Sequence, residues 1–508
     1  MRNDGHHDMT TPVLAIAGKL FSELEDRGVR YCHWKSNQHL DAALAGRTDI
    51  DILVAHEDAA RFMGIISSLG FKRFISPPWK TYPEIEDYLG FDHETGALFH
   101  LHVHYALMVG RQYVKDHHIP WETRIFDTAV YYEGARVKII DPHIELLLLW
   151  IRSAIKLRLK DLLKALLRRS LAIDKAVRLE FRYLEDRIET DRMRALMADL
   201  LGPKAAGRLW PILAKRNNTD LLSLLRFRLG LIGVADQWRI YSAAGEIARA
   251  YGKFLQKTAY RLGADLLGLP LGMSKRAAHG GTLVAFIGPD GSGKSTVATR
   301  IEDWLSWKID THRLYFGSGD GSVNLIFRTR KRLKRLLVSI GVLKDSPPKE
   351  GSSKPKSTSK LKDLFDGITL LSLARDKLAN LRTARRLTAL GSVVIADRYP
   401  QNEVHHINDG PKIGFGDRDS WIRRFFSRWE LALYHTMAGL PADLIVKLMV
   451  SVEVALARKP DHHRGEIERK VGIVRDLRFE GSRISIVDAD QPLEQVLLET
   501  KRALWEAL

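Results

Sequence analysis

The sequence has a single cysteine, Cys32, among its 508 residues. One thiol cannot form an internal disulfide, which excludes a disulfide-stabilised scaffold and indicates a reducing compartment. Long hydrophobic runs are also missing, since the longest, such as 146–151, fall far short of the roughly 20 apolar residues that span a membrane. The first ten residues lack the charged and apolar segments of a secretory signal. A soluble cytoplasmic protein is therefore expected.

The composition is that of an ordinary globular protein, with 45% hydrophobic and 28% charged residues, so a mainly disordered or fibrous chain is excluded. Its length predicts about three domains. The net charge of +18 could attract nucleic acid, an anionic membrane surface or phosphorylated substrates. More than half of it comes from residues 325–362, which contain 12 basic and two acidic residues. This distribution indicates a local basic segment more than a nucleic-acid-binding surface.

Apolar periodicity divides the chain into zones and predicts a multidomain α/β protein. Residues 1–145 contain both helix-like and strand-like apolar spacing, which predicts an α+β domain. Helical spacing occurs at 14–27 and 58–69, and strand patterns occur at 29–34, 50–54 and 96–105.

Residues 146–275 are rich in Leu, Ala, Arg and Lys, and this composition predicts a helical region. Apolar residues recur at helical spacing in 157–167 and 183–201. The basic and apolar stretch 250–273 is interpreted as an amphipathic helix packed on a neighbouring domain, with a membrane-surface helix as the less favoured alternative.

A third zone, residues 276–508, opens with a loose linker at 274–281. Strands alternate with helices in it, which predicts a parallel sheet covered by helices on both faces. The predicted strands are 283–287, 393–396, 444–450 and 484–487, and the first predicted helix is 297–305. A basic insertion near 325–362 includes the low-complexity stretch 347–360, for which a mobile loop is expected.

Residues 288–295 read Gly-Pro-Asp-Gly-Ser-Gly-Lys-Ser and match G-x-x-x-x-G-K-[ST] between a strand and a helix. Glycines allow the backbone N–H groups to face phosphates, and the helix N-terminus adds partial positive charge. In such a loop the lysine reaches the β- and γ-phosphates and the final hydroxyl binds Mg²⁺. The predicted cofactors are therefore ATP and Mg²⁺. The candidate nucleotide-binding residues are Gly288, Asp290, Gly291, Ser292, Gly293, Lys294, Ser295 and Thr296.

A second motif follows the predicted strand 393–396. That apolar run leads into Asp397, Arg398 and Tyr399. Ligands of open α/β sheets lie at the carboxyl ends of strands. Asp397 is therefore predicted near the Mg²⁺ and Arg398 near an anionic acceptor.

Together these residues resemble the thymidylate kinase family of P-loop kinases. The resemblance covers about 280–508, and its motifs are the loop sequence GPDGSGKS, Asp-Arg-Tyr at 397–399, a helix start at 453–459 followed by a basic lid, and Asp-Ala at 488–489. It implies a P-loop NTPase fold and phosphoryl transfer from ATP to a nucleoside monophosphate, dTMP-like, or to a related small molecule.

The resemblance also implies roles for individual residues. Asp290 would contact the sugar of the acceptor, Arg398 would hold its phosphate, and Arg458 and Arg464 of the lid would stabilise the transferring phosphoryl group. Arg375 loosely matches a base-contacting arginine. The chain has residues 315–321 and the basic insertion where the family usually has Glu-Pro-Gly.

The kind of acceptor stays open in the sequence. A phosphate acceptor is largely dianionic at pH 7 and needs no base. A hydroxyl acceptor would need a carboxylate base, for which Asp290 and Asp320 are candidates.

The N-terminal zone carries a pair of acids, Asp49 and Asp51, at the start of a predicted strand. Strand alternation places both carboxylates on one face, where they could bind one divalent cation. On a later strand His100, His102 and His104 also share a face, as a metal cluster or, in the favoured interpretation, as hydrogen-bonded polar residues.

With the upstream segment 33–37, this pattern resembles the nucleotidyltransferase fold over about 10–170. The resemblance implies a metal site at Asp49 and Asp51. Active members usually have a Gly-Ser turn and a third carboxylate, whereas this chain has Lys35-Ser36 and the three histidines.

The favoured hypothesis is a P-loop small-molecule kinase fused to a nucleotidyltransferase-like domain, and the sequence leaves open whether that domain is active or degenerate. Its expected partner is a small-molecule phosphate acceptor, and a homodimer is left open. One alternative is a protein whose kinase and nucleotidyltransferase domains act on nucleic-acid ends. The sequence, however, shows no stretch of interleaved aromatic and basic residues of the kind that binds single-stranded nucleic acid. Another alternative is a nucleotide-dependent regulator.

Overall fold

A computed structural model describes residues 12–111, 113–133, 135–157, 171–215, 219–267, 272–317, 360–407, 409–413 and 420–508. The chain forms two compact units, Met1–Lys275 and Arg276–Leu508. The expected border near residue 145 falls inside a helix of the first unit. The division into three domains stays a prediction. None of the described helices is both long and apolar enough to cross a membrane.

Unit 1 begins with an α/β region in which helices pack on one face of a sheet and enclose an apolar core. Its helices are α1 (Ala15–Asp26), α2 (Leu40–Leu44), α3 (Ala59–Ser68) and α4 (Glu122–Thr128). Its strands are β1 (Tyr31–His33), β2 (Ile50–Val54), β3 (Lys72–Ile75), β4 (Ile85–Phe91), β5 (Leu98–His104), β6 (Met108–Val109), β7 (His117–His118), β8 (Val130–Tyr131) and β9 (Lys138–Ile139). The sheet order within the unit is β3-β4-β5-β2-β1-β9-β8, with β6 and β7 paired separately.

Alternation along the central strands gives the sheet one apolar face and one polar face. Strand β2 runs parallel to β5 and places Asp51 opposite His102, whereas β4 is antiparallel to β5 and places Asp87 opposite the same histidine. Ile50, Ile52, Leu101 and Val103 point to the other face, where α1 and α3 bury them. The sequence-predicted helices and strands of this region are confirmed.

In the rest of unit 1 the described residues are mainly helical, in agreement with the composition. It contains α5 (Pro142–Lys156), α6 (Lys175–Glu185), α7 (Thr190–Leu201), α8 (Pro203–Leu213), α9 (Leu221–Ala235) and α10 (Ala243–Leu267). Pro142 suits the first turn of α5, and the Asp141 carboxylate caps that helix by accepting from the His143 N–H. The pattern at 183–201 is interrupted between α6 and α7, and the predicted helix at 157–167 lies almost wholly outside the described residues.

Aromatic side chains fill the centre of this helical core. The Trp150 ring lies 5.2 Å from that of Phe181 and 5.0 Å from that of Phe227, all three being fully buried. Burial of one such side chain contributes roughly 3 kcal/mol. The α5 helix is therefore fixed between the sheet region and the helices that follow it.

Unit 2 is a parallel sheet flanked by helices, as the sequence predicts. The sheet consists of β11 (Leu283–Ile287), β12 (Thr311–Tyr315), β13 (Val393–Asp397), β14 (Leu444–Met449) and β15 (Arg483–Asp488), and the short strand β10 (Arg276–Ala277) precedes it in the chain. Its helices are α11 (Lys294–Ser306), α12 (Lys360–Ala389), α13 (Trp421–Ala438), α14 (Val452–Arg458), α15 (Arg464–Asp476) and α16 (Leu493–Ala507).

The order of the parallel sheet is β12-β13-β11-β14-β15. Strands β11 and β13 lie at its centre and are buried along their whole length, which is why both read as continuous apolar runs. The four predicted strands are confirmed, and β12 is an additional one. The predicted linker at 274–281 contains the short strand β10. Most of the basic insertion near 325–362, together with Asp320, lies outside the described residues.

Candidate functional site

The glycine-rich loop connects β11 to α11 at the carboxyl end of the sheet. A Cβ atom on Gly288 would lie 2.4 Å from Ser292 Oγ and 2.7 Å from the Leu448 carbonyl oxygen, so no larger residue fits there. Gly291 and Gly293 have φ values of +85° and +81°, which side-chain-bearing residues rarely adopt. The loop therefore requires glycine for its shape as well as for access to its backbone N–H groups.

Lys294, the first residue of α11, folds back over the loop. Its Nζ donates to the carbonyl oxygens of Gly288 at 2.8 Å and Pro289 at 2.7 Å. Burial lowers the pKa of Lys294 to about 8. A cation held by neutral carbonyls at a helix N-terminus is well placed to take an anionic ligand instead.

Ser295 and Asp397 come together from α11 and the end of β13. The Ser295 hydroxyl donates to Asp397 Oδ2 at 3.0 Å. A hydroxyl and a carboxylate are the hard oxygen donors that Mg²⁺ prefers, so this pair fits the predicted ion. Arg313 of β12 donates to the same carboxylate oxygen at 2.9 Å. Motif reasoning did not find Arg313, because its strand has a half-polar sequence.

Arg398 follows β13 with a φ of +73°, an uncommon conformation for a residue with a side chain. Its Nη1 lies 3.6 Å from Asp409 Oδ2. Burial alone would lower the pKa of Arg398, but Asp409 and other nearby anionic groups hold it above its ordinary value. Asp409 also accepts from buried Lys377 of α12 at 3.2 Å, and Lys377 Nζ lies 3.3 Å from the Tyr434 hydroxyl.

Asp290 of the loop pairs with a basic residue of α15. Lys470 Nζ donates to Asp290 Oδ2 at 2.7 Å and lies 2.6 Å from Glu466. Burial alone would raise the pKa of Asp290, but the Lys470 hydrogen bond and charge lower it below the ordinary value. Asp290 is consequently a poor base at neutral pH.

The two predicted lid arginines lie in different surroundings. Arg458 donates to the carbonyl oxygens of Gly291 at 3.3 Å and Ala489 at 3.0 Å, so it contacts the loop backbone directly. Arg464 is exposed and bonds to Glu453 and Glu468. The structure therefore brings Arg458 to the loop, and it pairs Arg464 with acids of α14 and α15.

The remaining predicted residues of unit 2 are also placed. Ser292 is buried in the loop, whereas Thr296 is exposed on α11. Arg375 is exposed on α12, two residues before the buried Lys377 that supports Asp409. Lys377 and Asp409 lie 32 residues apart in the chain, and no local motif marks them.

In unit 1 the predicted acids and histidines share the polar face of the sheet. Asp49 Oδ1 lies 2.9 Å from His100 Nδ1, and the other nitrogen of that ring lies 2.9 Å from Asp87 Oδ1. His100 therefore bridges two carboxylates.

Asp51 gathers the other two histidines and a lysine. Its Oδ1 atom lies 3.2 Å from His102 Nδ1, 3.3 Å from His104 Nε2 and 2.8 Å from Lys35 Nζ. Burial raises the pKa of Asp51, but Lys35 and the two histidines more than reverse this and hold it well below its ordinary range. Burial lowers the pKa of both His102 and His104, which favours the neutral form of both rings.

Sequence reasoning missed two lysines near this cluster. Burial, and then repulsion by neighbouring cations, lowers the pKa of Lys115 to about 7 and that of Lys156 to about 8. Asp51 opposes both shifts. Neither lysine belongs to a sequence motif.

Part of the chain is similar to ATP-binding proteins and to kinases, although no family model matches it. A thymidylate kinase of Leuconostoc mesenteroides is 28% identical over 232 residues, covering 43% of this chain and 92% of that enzyme. A solved structure of deoxyadenosine kinase from M. mycoides with bound dCTP covers 44% of this chain and 98% of that one at 13% identity. Its TM-score of 0.24 is too low to support a conclusion.

A further relative is the protein YghR of Escherichia coli strain K12, described as an uncharacterized ATP-binding protein. The two sequences are 32% identical over 224 residues, which make up 44% of this chain and 86% of YghR. The match to YghR supports ATP binding by the P-loop domain that the loop geometry indicates, and it shows that the chain belongs to the YghR family.

Proposed function

We propose that unit 2 is a Mg²⁺- and ATP-dependent kinase that transfers a phosphoryl group to a nucleoside monophosphate, dTMP-like, or a related small phosphate acceptor. The observation that carries this proposal is the convergence of Lys294, Ser295 and Asp397 at the carboxyl end of the central strands, with Arg398 directly after Asp397. The similarity to thymidylate kinases supports phosphoryl transfer as the reaction.

In this proposal each residue has a task that its position allows. The loop N–H groups and Lys294 bind the β- and γ-phosphates, and Lys294 exchanges its carbonyl partners for phosphate oxygens as it does so. Ser295 and Asp397 would hold Mg²⁺, which neutralises charge on the phosphates. Arg458 fixes the loop through the Gly291 carbonyl.

Electrostatics favour a phosphate acceptor over a hydroxyl acceptor. A hydroxyl acceptor would need a base. Of the two candidate bases, Asp290 is paired with Lys470 and its pKa is lowered, and Asp320 lies outside the described residues. A dianionic phosphate needs no base, and it would find a guanidinium already oriented by Asp409. Arg398 is therefore assigned to the phosphate of the acceptor.

The test is a turnover screen of the full chain with Mg²⁺ and ATP against nucleoside monophosphates, sugar phosphates and 5′-hydroxyl oligonucleotides. Turnover with a nucleoside monophosphate is expected, and it should disappear in the Lys294→Ala variant. Turnover on oligonucleotides alone would favour the end-processing alternative. ATP binding without turnover on any acceptor would favour a regulator.

Nucleotidyl transfer by unit 1 stays a prediction. Asp49 and Asp51 share the expected face, but His100, His102 and His104 contact them where the nucleotidyltransferase resemblance would require a third carboxylate.

A further inference from the structure

The polar face of the unit 1 sheet contains imidazoles that are unusually well buried. The side chains of His100 and His104 are fully buried, and that of His102 is 24% exposed. The rings of Trp34 and His104 pack edge to face, with their centres 5.0 Å apart. Burying a polar ring is costly unless the ring is hydrogen-bonded or coordinates a metal. The groups that contact these rings therefore indicate which ligand this face of the sheet could bind.

We propose that Asp51, His102 and His104 form a binding site for one divalent transition-metal ion, of which Zn²⁺ fits best. The three residues each offer one ligand atom, and these atoms all lie within 4.8 Å of one another. Among the residues that the structure describes, this group alone combines histidine and acidic donors so closely. The site is independent of the proposed kinase reaction.

The distances match those of a tetrahedral centre. Bonds of about 2.0–2.1 Å from Zn²⁺ to nitrogen and oxygen place neighbouring ligand atoms about 3.4 Å apart. Asp51 Oδ1 lies 3.2 Å from His102 Nδ1 and 3.3 Å from His104 Nε2. Two of the three ligand pairs therefore need almost no movement to accept the ion.

The donor set distinguishes this site from the oxygen pair of unit 2. Imidazole nitrogen suits zinc and the other transition metals, whereas Mg²⁺ and Ca²⁺ prefer oxygen. Two imidazoles and one carboxylate also leave a fourth position for water or an external ligand.

Neighbouring residues of the same face support the site without joining it. His100 bridges Asp49 and Asp87, which gives that imidazole two partners other than the three proposed ligands. Lys35 is the competitor, because its ammonium group lies 2.8 Å from the Asp51 oxygen that would bind the ion.

The test is a titration of the full chain, freed of metals with a chelator and without nucleotide, using Zn²⁺ and, as a spectroscopic probe, Co²⁺. A four-coordinate Co²⁺ site gives intense visible absorption. The wild-type chain should bind one ion in this way. Asp51→Asn and His102→Gln should each weaken binding by about 100-fold or more, since even supporting residues around metals account for about 10- to 100-fold.

Matched controls separate this site from other histidines in the chain. His118→Gln changes a partly exposed histidine of strand β7 that is paired with Glu122 of helix α4. The double variant His6→Ala, His7→Ala removes the histidine pair near the N-terminus. Both controls should retain the Co²⁺ spectrum. Ser295→Ala should also retain it, because that hydroxyl belongs to unit 2.

Lys35→Gln provides a test in the opposite direction. Removal of the competing ammonium should tighten Zn²⁺ binding, whereas a purely hydrogen-bonded network would show no binding to tighten. The proposal is overturned if the wild-type chain binds no Co²⁺ in a four-coordinate site. It is equally overturned if folded Asp51→Asn and His102→Gln chains, checked by circular dichroism, bind the ion as the wild type does.

Discussion

The candidate ligand sites of the two units are built from different chemical groups. Unit 2 uses backbone N–H groups, a lysine and two oxygen donors at the end of parallel strands, and its shape depends on Gly288, Gly291 and Gly293. Unit 1 uses side chains across neighbouring strands, where register alone places Asp51 beside His102. A backbone site can be recognised from a short motif, whereas a site built across strands depends on pairing that the motif does not contain.

The largest expected effect tests the backbone site. Lys294→Ala should lower turnover by about two orders of magnitude or more, about 3 kcal/mol of transition-state stabilisation, because it removes the cation where charge develops. Steady-state kinetics would measure the turnover of this variant. Lys501→Ala is the control, because it removes another lysine of unit 2, one that packs over Trp304 and is not part of the loop. Unchanged turnover in Lys294→Ala would refute the assignment of the loop.

The next effect separates the two substrates within unit 2. Arg398→Lys should raise the KM of the phosphate acceptor by roughly 10-fold or more and change that of ATP much less, because lysine cannot reproduce the bidentate arginine fork. Arg385→Lys is the matched control, since Arg385 pairs with Asp443 and not with Asp409. Equal changes in both KM values would remove Arg398 from the acceptor site.

A smaller effect concerns the stability of unit 1 as a function of pH. Buried Glu145 of α5 accepts from the backbone N–H of Asn37 at 3.0 Å and from its amide at 2.7 Å. Burial raises the pKa of Glu145 from 4.5 to about 7. The folded state therefore favours the protonated acid, and this contribution to stability is complete below about pH 4.5 and is lost as the pH rises through about 7.

Glu145→Gln mimics the protonated form and should remove this dependence. The free energy of unfolding of the variant, relative to wild type, should be higher at pH 8 than at pH 5 by about 1–3 kcal/mol. Chemical denaturation at the two pH values measures this difference. Glu94→Gln, at an exposed position of the same unit, should show no such change, and an identical profile for both variants would contradict the burial argument.

The smallest expected effect tests whether the two sites are independent. Asp49→Asn with Asp51→Asn should leave phosphoryl transfer by unit 2 nearly intact, because Ser295 and Asp397 provide their own oxygen donors. The same double variant should abolish any nucleotidyl transfer. Loss of kinase turnover in a variant that retains its circular dichroism spectrum would show that the sites are coupled.

The sequence predicts the parts of the fold and of the candidate sites that depend on local patterns, and it misses the parts that depend on strand pairing. Strands β11 and β13 could be predicted because burial on both faces makes them continuous apolar runs, and the loop between β11 and α11 carries its own motif. Strand β12 was missed because its sequence, Thr-His-Arg-Leu-Tyr, is half-polar and only partly buried. Alternation showed that His100, His102 and His104 share a face, but pairing them with particular acids required the register of β2 and β5.

The residues that support Arg398 could not be predicted for another reason. Asp409 and Lys377 come from a loop and a helix, and only tertiary packing brings them together. Their sequence surroundings resemble those of ordinary surface residues. Long-range contacts of this kind are therefore the part of the site that a single sequence does not contain.

The left-handed backbone at Arg398 has a consequence for engineering. A non-glycine residue in that conformation costs about 1–2 kcal/mol, and glycine would relieve the cost. Relief of this strain favours glycine at position 398 in a screen for thermostability, whereas the proposed binding of the acceptor requires the guanidinium. Selection for both heat resistance and turnover would therefore show whether position 398 exchanges stability for function.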